Sequence, residues 1–335
     1  MVEKIWFENH FLGVLLWPIL WPLSYLFKWI ANSRRDKFLQ KQTNSYRAPV
    51  PVVVVGNITA GGNGKTPVVI WLVETLLQAG LRPAVVSRGY GGKTQRYPLL
   101  VDEDISTTES GDEANLIFQR TGVPVVVDPI RANAVKKALN YDIDLIITDD
   151  GLQHYALDRD IEIVVVDGYR RFGNQCYMPL GPLREGLDRL NSVDFIINNG
   201  GSAQHGELSM ALTPGLAVNL VTGEQRAVSS LYKLVAIAAI GNPRRFFNTL
   251  DSLGAQVIKQ QSFIDHQDFK QSELDELGRL GSHLIMTEKD AVKCSSYAKN
   301  NWWYLPVTAS FSHHEEKNII DKILKVREEY GSPSA

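Results

Sequence analysis

Residues 52–66 read VVVVGNITAGGNGKT, a run of four valines that breaks into a glycine-rich loop closed by Gly64, Lys65 and Thr66. A β-branched run with no polar alternation is a strand buried on both faces, which calls for a parallel sheet covered by helices. The loop has the form of a phosphate-binding P-loop. Gly61, Gly62 and Gly64 let backbone N–H groups turn inward around phosphate oxygens, and a following helix N-terminus adds positive partial charge. Over Thr59, Ala60, Gly61, Gly62, Asn63, Gly64, Lys65 and Thr66 this predicts a nucleotide-binding segment. Lys65 reaches the β- and γ-phosphates and the Thr66 hydroxyl meets Mg²⁺. Thr59 stands where the strict pattern has glycine. Pro67 falls in the first helical turn, and Val68, Val69, Leu72, Val73, Leu76 and Leu77 keep helical spacing as far as Gly80. The competing reading is a glycine-rich turn that binds nothing.

The chain has 335 residues, 44% apolar and 21% charged, long enough for two domains and folded rather than disordered. With 35 basic against 37 acidic residues it has no electrostatic footprint for nucleic acid. Its two cysteines, Cys176 and Cys294, lie far apart without a metal-ligand spacing, which fits a reducing compartment. The N-terminus differs from the rest. Phe11 to Ala31 is almost wholly apolar, and four of the seven tryptophans fall within residues 6–29. Pro18 and Pro22 predict kinks, while Lys28, Arg34, Arg35 and Lys37 follow as a cytoplasmic-side bias. Two readings stand: a helix at the membrane surface or tilted into it, and a helix folded into the protein's own core.

Further apolar runs recur at Pro83–Ser87, Val123–Val127, Leu145–Thr148, Ile161–Val166 and Phe195–Asn198, the rhythm of a doubly wound α/β sheet. Residues 212–230 lose periodicity and read as a linker. A smaller α/β unit then starts at Leu234, with further strands at His283–Met286 and Trp302–Val307 and a covering helix over about Glu315–Glu329. The expected organisation is an apolar helix over 1–31, a P-loop α/β/α domain over 32–211, the linker, and a smaller domain over 231–335.

Ligands in such sheets sit at the carboxyl ends of strands. The run Leu145 to Thr148 ends in Asp149, Asp150, Gly151, Leu152, Gln153 and His154, and an acidic residue there suits Mg²⁺, though the sequence leaves open which aspartate. His154 reads either as a phosphate contact or as a packed bystander. Gly111, Asp112 and Glu113 open a helix; Asp112 is either an N-cap or the carboxylate that accepts a hydroxyl proton. Arginines in glycine- and proline-rich loops, Arg88, Arg131 and Arg184, suit anionic substrates. In the smaller unit His266 begins a helix, and Thr287, Glu288, Lys289 and Asp290 end a strand.

A GTPase is disfavoured, because Thr287 to Asp290 places lysine one position late for a guanine box and Gly151 lacks the acidic partner of a switch motif. A membrane-attached nucleotide sensor remains the alternative to a kinase. Taken together, Gly56 to Pro67, Ser87 to Tyr90, Gly111 to Glu113, Asp149 to His154, Gly181 to Glu185 and Thr287 to Asp290 resemble, in order, the tetraacyldisaccharide 4'-kinases of Gram-negative bacteria. The Asp149 to His154 string is the most specific part.

The resemblance implies transfer of the ATP γ-phosphate to the 4'-hydroxyl of an acylated glucosamine disaccharide 1-phosphate, a lipid, on the cytoplasmic face of the inner membrane, giving lipid IVA. It implies two α/β/α domains that close around the nucleotide across a β-stranded linker. It casts Asp112 as catalytic base assisted by His266, and Lys65 and Thr66 as phosphate and Mg²⁺ holders. It gives Asp149 or Asp150, with Glu113, to the metal, and Tyr90, His154, Arg131 and Arg184 to the transferring or substrate phosphate.

Overall fold

A computed structural model describes residues 2–8 and 10–331; the expected unit ends at residue 1 and residues 332–335 lie outside the described residues. Among these residues two sheets form. The larger runs, edge to edge, Val307–Ser310, Leu208–Pro214, Phe195–Asn199, Ile161–Asp167, Val52–Gly56, Leu145–Asp149, Pro83–Ser87, Val125–Val127 and Leu99–Val101. All neighbours are parallel except the two edge pairs. The valine run sits centrally, between Leu145–Asp149 and Ile161–Asp167, and every residue of it is buried. Its alternate side chains feed two cores: Val53 and Val55 pack against the P-loop helix Lys65–Gln78, and Val52 and Val54 against the opposite layer that holds Leu152 and Leu183. This is the doubly wound sheet that the apolar rhythm predicts.

The smaller sheet runs Gln225–Arg226, Ala217–Asn219, Trp302–Leu305, His283–Thr287, Leu234–Ala238 and Val257–Ser262, covered by helices Pro243–Ser252, Gln271–Leu280 and Glu288–Cys294. The expected division needs three corrections. Residues 212–230 are not a plain linker: Leu208–Pro214 joins the larger sheet, and Ala217–Asn219 and Gln225–Arg226 join the smaller. The expected strand Trp302–Val307 is two strands, and Val307–Ser310 leaves the smaller sheet to pair antiparallel with Leu208–Pro214. The C-terminal helix, His313–Gly331, therefore covers the larger unit, burying Ile319 and Ile323 beside Val53, Val55 and Leu76. Its apolar stripe is plain in the sequence, but the partner of that stripe is chosen by the strand before it.

The third correction concerns the N-terminus. A short helix, Val2–Phe7, precedes a helix that runs Phe11–Leu39, through both prolines and across the expected boundary at residue 31. It extends past the apolar run because one face of it docks: Arg35 pairs with Asp188, Phe38 stacks on Tyr155 and the Ser24 hydroxyl donates to the Tyr177 carbonyl. Its first half is not folded into the core. Leu15, Trp17, Ile19, Trp21 and Leu26 are exposed, Trp17, Trp21 and Tyr25 stack in a ladder, and the helix is long and apolar enough to cross a membrane.

Candidate active site

The loop after Val52–Gly56 is pinned from three directions. Asn63 Nδ2 donates to Thr59 Oγ1 at 2.7 Å, the Ala60 N–H to the Pro182 carbonyl at 2.7 Å, and Asn199 Nδ2 to the Asn63 carbonyl at 2.8 Å. Thr59 thus holds the loop through its hydroxyl, which the glycine of the strict pattern lacks. Gly64, at φ +89°, precedes the helix, and a Cβ there would meet Asn199 Nδ2 at 2.2 Å. Lys65 and Thr66 open the helix, with Thr66 buried and Lys65 Nζ 3.5 Å from Asp150 Oδ1.

Next to it in the sheet, Leu145–Asp149 ends in the acidic pair. The turn that follows is tight: Asp150 has φ +50°, the Gly151 N–H donates to the Val55 carbonyl, and a Cβ on Gly151 would overlap Thr148 Oγ1. This geometry separates two adjacent carboxylates. Asp150 points at cations, with Arg184 Nη1 at 3.1 and 3.0 Å from its two oxygens; burial works against its charge, but Lys65 and Arg184 outweigh burial and hold it well below the usual carboxylate range. Asp149 is fully buried, and neither carboxylate oxygen has a hydrogen-bond partner. Burial, then the nearby Glu113 charge, pushes it up to about 7 against the pull of Lys65. An orphaned buried carboxylate beside a second carboxylate, a buried hydroxyl and a P-loop is a donor set for a hard divalent cation. No group of three His, Cys, Asp or Glu side chains arranged to hold a metal occurs among the described residues.

Across the cleft the smaller unit meets Asp112, the first residue of helix Asp112–Thr121. His266, at φ +61°, places Nδ1 at 3.0 and 3.1 Å from the two Asp112 oxygens. Lys289 Nζ contacts Glu113 Oε1 at 3.0 Å and His266 Nε2 at 3.3 Å, and Lys293 Nζ lies 3.5 Å from Asp112 Oδ2. Asp112 is therefore a buried carboxylate among cations. Burial pushes it up, but the His266 hydrogen bond and the Lys289 and Lys293 charges together hold it well below the ordinary range. Lys289 is pushed the other way: burial favours its neutral form, but Glu113, Asp112 and Asp265 keep it an ammonium. The N-cap reading of Asp112 has little support, since its oxygen accepts only the adjacent Glu113 N–H on that side.

A cleft of about 750 Å³ joins these groups, lined by the P-loop, Asp149, Asp150, His154, Arg184, Tyr90, His266 and Lys289, and on one side by Phe27, Ile30, Ala31 and Arg34 of the N-terminal helix. Tyr90 stands at its mouth, exposed, edge-on to the His266 ring at 4.8 Å. His154 lines the wall, but burial and then the Arg131 and Arg88 charges lower it to about 3, so it offers a neutral ring rather than positive charge. Arg131 is buried and donates to the Asp128 and Asp149 carbonyls at 3.1 Å each. Its side chain braces the end of the acidic strand more than it faces an anion.

Sequence reasoning missed the residues that join the two units. Arg245 Nη2 donates to Asn199 Oδ1 at 2.7 Å, so a smaller-unit arginine braces the residue that braces the P-loop. Arg170 Nη1 donates to the Gly241 carbonyl at 2.7 Å, and Arg120 pairs with Glu288 at 2.9 Å. Asn199 ends a strand, and inspecting every strand end would have found it. Arg245 carries no local mark beyond its charge, whereas Lys289 lies in the charged string Thr287 to Asp290 that ends a strand.

A family model described as Tetraacyldisaccharide-1-P 4'-kinase matches residues 16–325 of the chain. Proteins named tetraacyldisaccharide 4'-kinase from Vibrio parahaemolyticus and Vibrio cholerae are each 61% identical over 335 residues, the whole of both chains. One from Aliivibrio fischeri is 60% identical over 328 residues, 98% of this chain and 100% of that one. Among solved structures, "apo" form LpxK from Aquifex aeolicus in complex with ATP is similar at a TM-score of 0.76 and 27% identity, over 94% of this chain and 99% of that chain.

Proposed function

Since the chain belongs to the tetraacyldisaccharide-1-phosphate 4'-kinase family, we propose that it transfers the γ-phosphoryl group of ATP to the 4'-hydroxyl of a tetraacylated glucosamine disaccharide 1-phosphate, forming lipid IVA at the cytoplasmic face of the inner membrane. The observation that carries this reading is the His266–Asp112 contact across the cleft from the P-loop. A nucleotide sensor has no use for a carboxylate held charged behind the cleft-lining His266 and Lys289; a kinase acting on a hydroxyl needs one.

The P-loop amides and Lys65 bind the β- and γ-phosphates. Thr66 and Asp149, with Glu113 beside them, are the residues that would hold Mg²⁺, which when bound neutralises charge on the phosphate oxygens. Asp150 keeps Lys65 and Arg184 aligned on the phosphate side of the cleft. Asp112 accepts the 4'-hydroxyl proton as the oxygen attacks phosphorus, and His266 orients its carboxylate. Because the transition state is loose, positioning and charge neutralisation supply most of the acceleration, with proton acceptance contributing about 10²–10⁴-fold. Tyr90 borders the acceptor side, and the exposed apolar face of the N-terminal helix rests in lipid, leading from the bilayer to the cleft through Phe27 and Ile30.

The test is radiolabelled ATP with the disaccharide 1-phosphate in mixed micelles, scored for a bisphosphorylated lipid. ADP release that is independent of the lipid acceptor, with no labelled lipid, refutes the kinase reading and favours the sensor.

A further inference from the structure

Lys289 projects from helix Glu288–Cys294 of the smaller unit into the cluster around Asp112. Its ammonium can only donate hydrogen bonds. At 3.3 Å from His266 Nε2, with Glu113 Oε1 also holding it at 3.0 Å, it requires that nitrogen to present a lone pair. A ring that presents that lone pair carries its proton on Nδ1, the nitrogen that faces both Asp112 oxygens. We infer that Lys289 is a positioning residue that fixes His266 in its Nδ1–H tautomer, so that the imidazole meets Asp112 only as a hydrogen-bond donor.

This inference rests on the reading of Asp112 as the base. Its consequence is specific. His266 Nδ1 already carries a proton and its Nε2 lone pair is covered by Lys289, so the proton taken from the acceptor hydroxyl stays on Asp112 during phosphoryl transfer. His266 orients that carboxylate and does not relay its proton. Lys289 and His266 both belong to the smaller unit, whereas Asp112 and Glu113 belong to the larger, so the donor arrangement is complete only when the two units are together.

The experiment is ¹⁵N NMR of histidine-labelled full-length protein in detergent micelles, with the His266 ring assigned by subtracting the spectrum of His266→Gln. Wild type should show a protonated Nδ1 and an unprotonated Nε2. Lys289→Met should move both resonances toward a tautomer mixture and lower kcat about tenfold, the effect of losing one hydrogen bond to a charged group, with KM for ATP little changed. Lys289→Arg, which can still donate, should restore the wild-type tautomer. A wild-type proton on Nε2 overturns the inference, as does a Lys289→Met protein whose tautomer is unchanged, whatever its activity. Failure of the underlying reading is separate: full turnover by Asp112→Ala would remove the base while leaving the tautomer assignment standing.

Discussion

The two units meet at a pair of glycines, and that contact makes a quantitative prediction. Gly241 lies between strand Leu234–Ala238 and helix Pro243–Ser252, and a Cβ added to it would sit 2.5 Å from the Gly62 nitrogen and 3.0 Å from its Cα. Both are backbone atoms of the P-loop, and that loop is pinned by Thr59, Pro182 and Asn199. Neither side can yield cheaply. Moving from 2.5 Å to the 3.4 Å of ordinary contact separates the units by about 0.9 Å at this point. Carried to the dyad, the same displacement takes the His266–Asp112 contact from 3.0 Å to roughly 3.9 Å, beyond hydrogen-bond reach. A misplacement of about 1 Å in a reacting constellation costs on the order of 10²-fold in rate. Gly241→Ala should therefore lower kcat for lipid phosphorylation about 100-fold while KM for ATP stays within roughly threefold, because the P-loop itself is intact. Residue 241 does not have a left-handed backbone, so alanine meets no local backbone strain there, and the cost falls on the contact between the units. Steady-state kinetics with both substrates varied, alongside thermal unfolding, is the assay. A kcat within threefold of wild type refutes the claim that this juxtaposition sets the dyad geometry.

Asp112→Ala should lose turnover by about 10²–10⁴-fold while ATP still binds by calorimetry; unchanged turnover removes Asp112 from the mechanism. Asp149 carries a pH signature: its folded value of about 7 lies above the unfolded carboxyl value, so without divalent cation its charge destabilises the fold increasingly between about pH 4 and pH 7. In EDTA, Asp149→Asn should raise the melting temperature most at pH 8, by an amount worth a few kcal/mol at most, and the gain should shrink toward pH 5; a gain that does not vary with pH contradicts the assignment. On the N-terminal helix, Trp17→Ser and Trp21→Ser should each weaken vesicle co-sedimentation by about tenfold, with ATP binding unaffected. Equal partitioning of the double variant would show that the exposed ladder is not a lipid contact.

Much of the larger unit was legible locally because its signals are local. The valine run specifies a strand buried on both faces, the glycine loop specifies a backbone that can surround phosphate, and Asp149 to His154 marks a strand end whose tight turn turns its two carboxylates to different neighbours. These properties need only a few consecutive residues. Thr59, an irregularity in the motif, is explained by a contact only four residues away, with Asn63.

The sequence by itself determined a P-loop sheet, an apolar N-terminal helix and the separate charged strings from which the site is assembled, because strand, turn and helix preferences act over a few neighbouring residues. Only the tertiary structure decided how those strings meet. Val307–Ser310 crosses back to the larger sheet and carries the C-terminal helix with it, which no periodicity foretells. His266 reaches Asp112 over 154 positions, and Lys289 reaches Glu113 over 176. Asp112 and Lys289 keep their charges against burial because opposite charges lie within 4 Å, and those distances are set by the packing of the two units, not by neighbours along the chain.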